Sequence, residues 1–208
     1  MANIEPEQHD RELQNMEHPI SKFKKWWQAA LNDSPLKQKS AVCVSTIDQD
    51  GFPSGRFVDL KTVDEEGFTF CSYLDSEKGV HISANPKVAL TLWWDHVGYQ
   101  VRVKGVAEPI SEEEAISHWR TRSREAQLTT LCSRQSQELK SSEALHEQLA
   151  EAETRYQGTE VPKPANWGGF RIRPDSIEFL TFSDDRLHKR ELYDREDAGT
   201  WRMKLLQP

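Results

Sequence analysis

Arg186, His188, Lys189 and Arg190 crowd together near the C-terminal end, in the stretch WGGFRIRPDSIEFLTFSDDRLHKRELYDR (167–195). Upstream, Arg56 and Lys61 bound the run RFVDLK, Lys78 sits in SEKG, and Arg122 and Arg124 follow a segment that carries His118. Guanidinium and ammonium groups of this kind hold phosphates and carboxylates, Arg as a two-pronged donor and Lys as a point charge. Lys78 falls in the first turn of a predicted helix, where unpaired backbone N–H groups add to its attraction for anions. A return strand beginning at Arg186 puts Leu187 on one face and Arg186 and His188 side by side on the other. Each position taken singly also fits an ordinary solvated charge, so the chemistry depends on whether they converge.

Other chemistries lack their residues. The chain has no GxSxG, no P-loop and no GxGxxG, which leaves hydrolase and nucleoside-triphosphate readings without support. Asp64-Glu65 and Asp184-Asp185 lie in predicted turns and read as turn formers rather than an acid–base pair. Cys43, Cys71 and Cys132 are far apart and odd in number, and neither CxxC nor HExxH occurs. That pattern implies no metal centre and a reducing, cytoplasmic setting.

These groups need a scaffold, and the totals allow one. The chain has 208 residues, enough for one domain with a sizeable core. Its net charge is -7, from 34 acidic and 27 basic residues, which disfavours nucleic acid as a partner. No apolar run nears the roughly 20 residues that span a bilayer, so no membrane partner is expected. The first ten residues lack the apolar stretch of a secretion signal.

Residues 1–18 read as a flexible N-terminal arm and 19–208 as a single domain. Pro19 to Leu31 has apolar residues at helical spacing, with Trp26 and Trp27 as core packing. SAVCVSTI (40–47), 54–63 and 67–73 alternate or run apolar as strands, joined by turns at Gly51 and Gly67. A short helix follows over 76–84, with Ser76 as N-cap and Asn85-Pro86 as its stop. Residues 88–94 and 99–107 form a hairpin. Three helices are predicted over 112–124, 125–133 and 143–156, the first with a Ser111/Glu114 capping box. Phe170, Ile172, Ile177, Phe179 and Phe182 frame the C-terminal hairpin, and 201–206 is a last strand. Successive strands without crossover helices imply a mainly β (α+β) fold, an antiparallel β-barrel with peripheral helices.

The order of the motifs adds a resemblance. RFVDLK (56–61), GFTFCS (67–72), SEKG (76–79), NPKVAL (85–90), YQVRVKG (99–105), SRQS (133–136), VPKPANWGGFRI (161–172), IEF (177–179) and RLHKR (186–190) occur in the order found in the pyridoxamine 5′-phosphate oxidase family of FMN-binding split barrels. The chain resembles that family from about Pro19 to Pro208. The resemblance implies a homodimer with FMN at the subunit interface, with 167–208 as a dimerisation and substrate segment. It implies that Arg56, Phe57, Val58, Lys61, Cys71, Ser72, Lys78, Gln100, Gln135, Ser136 and Arg190 contact FMN, Gln135 and Ser136 from the partner subunit. It implies that Lys61, His118, Arg122, Arg186 and His188 hold a small phosphorylated vitamer, Arg186 and His188 as the catalytic residues. The reaction implied is oxidation of pyridoxamine or pyridoxine 5′-phosphate to pyridoxal 5′-phosphate, with molecular oxygen as acceptor.

Several residues depart from the family pattern. Glu77 stands where the family usually has an arginine; about 6 Å from a phosphate it would repel it by roughly 2–3 kcal/mol per unit charge at an effective dielectric near 20. Glu77 is therefore expected to point to solvent. His118 replaces a tyrosine, Ala126 a serine, Leu180 a tryptophan and Lys189 an aspartate, and Asp59 interrupts an apolar strand. These changes keep open two alternatives: a flavin oxidase of the same fold acting on another substrate, as in phenazine biosynthesis, and a flavin- or vitamer-binding protein without turnover.

Overall fold

The computed structural model describes residues 17–32, 34–197 and 199–208. The arm expected over 1–18 lies outside these residues up to position 16. Its last two residues are anchored, Glu17 to Lys25 at 2.6 Å and His18 edge-on to Trp201.

The elements run α1 (Pro19–Asn32), β1 (Ala41–Ile47), β2 (Pro53–Asp64), β3 (Gly67–Tyr73), α2 (Glu77–Ala84), β4 (Lys87–Trp94), β5 (Tyr99–Pro109), α3 (Glu112–Arg120), α4 (Arg124–Cys132), α5 (Ser142–Arg155), β6 (Trp167–Thr181), β7 (Lys189–Arg195) and β8 (Trp201–Leu206). The strands pair antiparallel in the order β3-β2-β1-β4-β5-β6-β7-β8, and a further β3–β6 pairing closes the first six into a barrel. β6 is the pivot. Its first half pairs with β3 and closes the barrel, while its second half carries β7 and β8. Between the halves, a bulge sets Gly105 against Pro174. Any Cβ at Gly105 would sit 2.1 Å from the Arg173 carbonyl, so only glycine fits.

Alternation delivers Val42, Val44, Leu90, Val101, Val103 and Phe179 to the barrel interior, all essentially inaccessible. α1 plugs one end: Phe23 packs edge-on against Phe68 at 4.8 Å and touches Trp94. A second apolar cluster, built from Tyr73, Trp119, Leu128, Ala152, Val161 and Trp167, binds α3–α5 to the outside of β3 and β6.

Three expectations change. The first predicted helix after β5 ends at Arg120 rather than 124, because Ser123 Oγ accepts from Ala126 N and caps α4 instead. The capping box at Ser111 forms by half: its hydroxyl accepts from Glu114 N, but the Glu114 carboxylate turns away to Arg171. The return strand begins at Lys189, not Arg186. Asp185 accepts from Ser183 Oγ and Leu187 N, folding 183–186 into a turn with Arg186 left-handed at φ 64. Strand pairing resumes only at Thr181↔Lys189, so Arg186 and His188 lie on a loop and not on one strand face.

Phe23→Ala is expected to destabilise the fold by about 3–5 kcal/mol through the cavity left at the plugged end, read as a lower midpoint in denaturant unfolding with an unchanged slope.

Candidate active site

At one end of the barrel, Arg56 on β2 lies opposite Val44 and so faces inward. Its Nη1 donates to Thr46 Oγ1 (2.6 Å) and Ser54 O (2.7 Å), and its Nη2 to Ser54 Oγ (2.8 Å). Nη2 also donates to Glu77 Oε1 at 2.9 Å. Glu77 therefore does not point simply to solvent: α2 packs on β1, and this brings its first residue onto the Arg56 guanidinium. Ser54 and Arg56 hold the Glu77 carboxyl below its ordinary range.

Lys78 turns the other way and is only 5% exposed. Its Nζ donates to Ser72 Oγ (3.0 Å), Ser76 Oγ (3.1 Å) and Gln135 Oε1 (3.2 Å). Ser76 starts α2, yet its hydroxyl donates to Tyr73 O instead of capping the helix. Gly79 allows this tight start, since a Cβ there would lie 2.1 Å from Leu74 O. The ammonium is thus buried among neutral oxygens with no carboxylate in contact. Burial first, then the charge of Arg56, pushes its pKa down to about 8. Such a group lacks a counter-anion and is suited to binding one.

Next to this corner lies a cleft of about 210 Å³, lined by Cys71, Ser72, Tyr73, Arg122, Thr130, Ser133, Gln135 and Trp167. Arg122 is held over the Trp119 and Trp167 rings at 5.8 and 5.3 Å, and its Nη2 donates to Thr130 Oγ1 and Ala126 O. Its Nε is buried without a partner. Burial pushes the Cys71 thiol up to about 11, although Lys61 and Arg122 pull the other way. Lys61 is the extra residue of a bulge in β2 and is paired with Asp59 at 2.5 Å. His118 lies 3.6 Å from Glu114 and is not among the residues lining the cleft. Ser136 is exposed beside Gln135 and left-handed (φ 69). Gln135 reaches Lys78 within its own chain, whereas the resemblance placed it across a subunit boundary.

The remaining predicted residues form a second group elsewhere. Trp93, Gln100, Leu180 and Arg190 lie in one row across β4-β5-β6-β7. Val101, next to Gln100, fills the core, so Gln100 faces outward, as does Phe57 (75% exposed). Glu178, buried in this face, accepts from Arg190 Nε at 2.9 Å and from Arg102. His188 accepts at Nδ1 from Ser183 N, which leaves the neutral ring's proton on Nε2. Its ring stands edge-on to Phe182. Arg56, Lys78 and Arg122 thus gather at the barrel end and the adjoining cleft, while Gln100, Arg190 and His188 gather on the outer sheet face. Within one chain the two groups do not share a groove. Val58 on β2 is half-buried and packed against the core.

The family model described as pyridoxamine 5′-phosphate oxidase matches residues 29–156, and that of the pyridoxine 5′-phosphate oxidase C-terminal dimerisation region matches 167–208. The chain belongs to the pyridoxamine 5′-phosphate oxidase family. Among its relatives, a pyridoxine/pyridoxamine 5′-phosphate oxidase of Rubrobacter xylanophilus is 45% identical over 91% of this chain and 87% of the relative. A counterpart from Nostoc punctiforme is 39% identical over 92% and 89%. PhzG from Burkholderia lata, solved with tetrahydrophenazine-1-carboxylic acid, superposes with a TM-score of 0.86 at 30% identity, covering 99% of this chain and 98% of that one. The protein is an FMN-dependent oxidoreductase of this family with a split-barrel fold. No helix among the described residues is long and apolar enough to cross a membrane.

Sequence reading missed Thr46, Ser54, Ser76, Thr130 and Trp167, which orient the cations. The position of Trp167 directly before Gly168-Gly169 was the one available signal, and the hydroxyl residues carried none.

Because bound phosphate favours the charged ammonium, Lys78 contributes to anion affinity below a pH of about 8 and loses that contribution as pH rises through it. Flavin-fluorescence titrations from about pH 7 to about pH 9.5, above the phosphate's own titration near 6, are expected to show FMN affinity falling across that window. Lys78→Ala should flatten the profile.

Proposed function

We propose that this protein oxidises pyridoxamine and pyridoxine 5′-phosphate to pyridoxal 5′-phosphate with molecular oxygen as acceptor, as a homodimer with FMN between the subunits. The observation that carries this reading is the closeness of two cation sets, one buried beside a cleft and one lining it. Lys78 donates to Ser72 and Gln135, which line the cleft, and Arg122, held over the Trp119 and Trp167 rings, lines it directly. Two phosphate monoesters, one of cofactor and one of substrate, call for two such sets. The 45% identity to a curated oxidase of these vitamers supports the same choice.

In this reading Arg56, Lys78, Ser72 and Gln135 hold the FMN phosphate, and an ammonium without a counter-charge fits that dianion. Arg122 holds the substrate phosphate. Gln100 and Arg190, with Arg186 and His188, come from the second copy, whose 167–208 segment carries most of them. This accounts for their facing another surface of their own chain. Arg190 is set by Glu178 and by the Gln207 carbonyl at 3.0 Å. His188 offers an Nε2–H to an anionic or carbonyl oxygen. FMN, when bound, supplies the two-electron chemistry, accepting a hydride equivalent from the substrate's C4′ carbon. The pyridoxine form loses two hydrogens to oxygen as hydrogen peroxide; the pyridoxamine form also consumes water and releases ammonia.

A second reading has its own observation. Ala126 offers Arg122 only a backbone carbonyl, and His118 is taken up by Glu114. A single guanidinium suits a carboxylate as well as a phosphate, and PhzG was solved with a carboxylic acid. Peroxide release on adding pyridoxine 5′-phosphate to the FMN-loaded protein is expected. Release only with a reduced phenazine carboxylic acid would select the second reading.

Arg186→Ala is expected to lower kcat/KM for the phosphorylated vitamer roughly 30- to 160-fold, the loss of one charge-assisted hydrogen bond of about 2–3 kcal/mol. FMN retention measured by absorbance should stay unchanged, and parallel loss of flavin would contradict the substrate role.

A further inference from the structure

Arg56 carries a carboxylate that its position does not require. Four neutral acceptors, Thr46 Oγ1, Ser54 O, Ser54 Oγ and the more distant Val44 O at 3.4 Å, already fix the guanidinium. Glu77 Oε1 then accepts from Arg56 Nη2 at 2.9 Å and from Ser54 Oγ at 3.0 Å. These are two convergent donors on one anionic oxygen, an arrangement that a phosphate oxygen would use equally well. The Glu77 side chain is 55% exposed and, among the described residues, its side-chain partners are Ser54 and Arg56, so water can receive it when it is displaced. The next residue shows the opposite condition. Lys78 is buried and touches no carboxylate. The charge of Arg56 is felt at Lys78, so both cations belong to one electrostatic corner. Of its two cations, the more accessible one is capped from within.

We propose that Glu77 is an internal competitor for the cofactor phosphate: its carboxylate occupies the Ser54–Arg56 donor pair in the free protein, yields it when FMN binds, and so sets the flavin affinity of the apoprotein. This rests on the reading that Arg56 and Lys78 hold the FMN phosphate. A merely positioning carboxylate would have the opposite sign, because its removal would loosen Arg56 and weaken FMN. The four neutral acceptors make that support redundant.

The test is flavin-fluorescence titration of the full-length apoprotein with FMN and with riboflavin, which lacks the phosphate. Glu77→Gln is expected to tighten FMN binding roughly tenfold, the scale of one partly screened unit charge near a phosphate. Glu77→Arg should tighten it further, riboflavin affinity should not move, and Lys78→Ala should weaken FMN alone. FMN affinity unchanged or weakened in Glu77→Gln, with Lys78→Ala still weakening it, overturns the competitor role and leaves the phosphate corner standing. If Lys78→Ala also leaves FMN affinity unchanged, the phosphate corner itself is wrong and the proposal falls with it. Thermal melts of the flavin-free variants separate these effects from misfolding.

Discussion

The pairing of β3 with β6 is the constraint on which the rest depends. It closes the barrel, and it sets Cys71 opposite Gly169, Ser72 opposite Gly168 and Tyr73 opposite Trp167. A Cβ at Gly169 would come within 2.4 Å of the Phe70 carbonyl, so the close approach needs glycine. That approach brings Trp167 against Trp119, and the two rings hold Arg122 beside Cys71. The same register places Ser72 where Lys78 and Gln135 can meet it. Core and cleft are thus two faces of one ladder.

Charge is distributed unevenly over this frame. On the structural side, buried ions are matched: Lys22 meets Glu191 at 2.6 Å with its ammonium over the Phe179 ring, and Glu178 is shared by two arginines. Removing one partner from such a pair leaves a buried charge uncompensated, which costs several kcal/mol. At the cleft the matching stops. Lys78 has only neutral acceptors and Arg122 has a buried unpartnered Nε. The contrast within one small domain supports the proposal that the cleft and its adjoining corner receive an anionic ligand.

Much of the frame was legible in the sequence. Alternation and turn residues located every strand from β1 to β5 and β8 to within about a residue or two, because one buried face imposes a period of two. The loop at 183–188 was not legible in this way. A single Asp185 carboxylate diverts the chain there, and local side-chain bonds override alternation. The site was legible as a set of residue types but not as an arrangement. Glu77 meets Arg56 through the docking of a helix on strands more than twenty residues away, while His118 meets Glu114 one turn earlier on its own helix. Gln135 reaches Lys78 through a turn at a left-handed Ser136, a conformation that serine does not advertise.

Cys71 has a further consequence. Under the proposed reaction with oxygen, peroxide would form in the cleft that Cys71 lines. Peroxide attacks the thiolate rather than the thiol. Two neighbouring cations would ordinarily promote ionisation, yet burial outweighs them and keeps the sulfur protonated at neutral pH. The proposed chamber would thereby present peroxide with a protonated thiol rather than a thiolate.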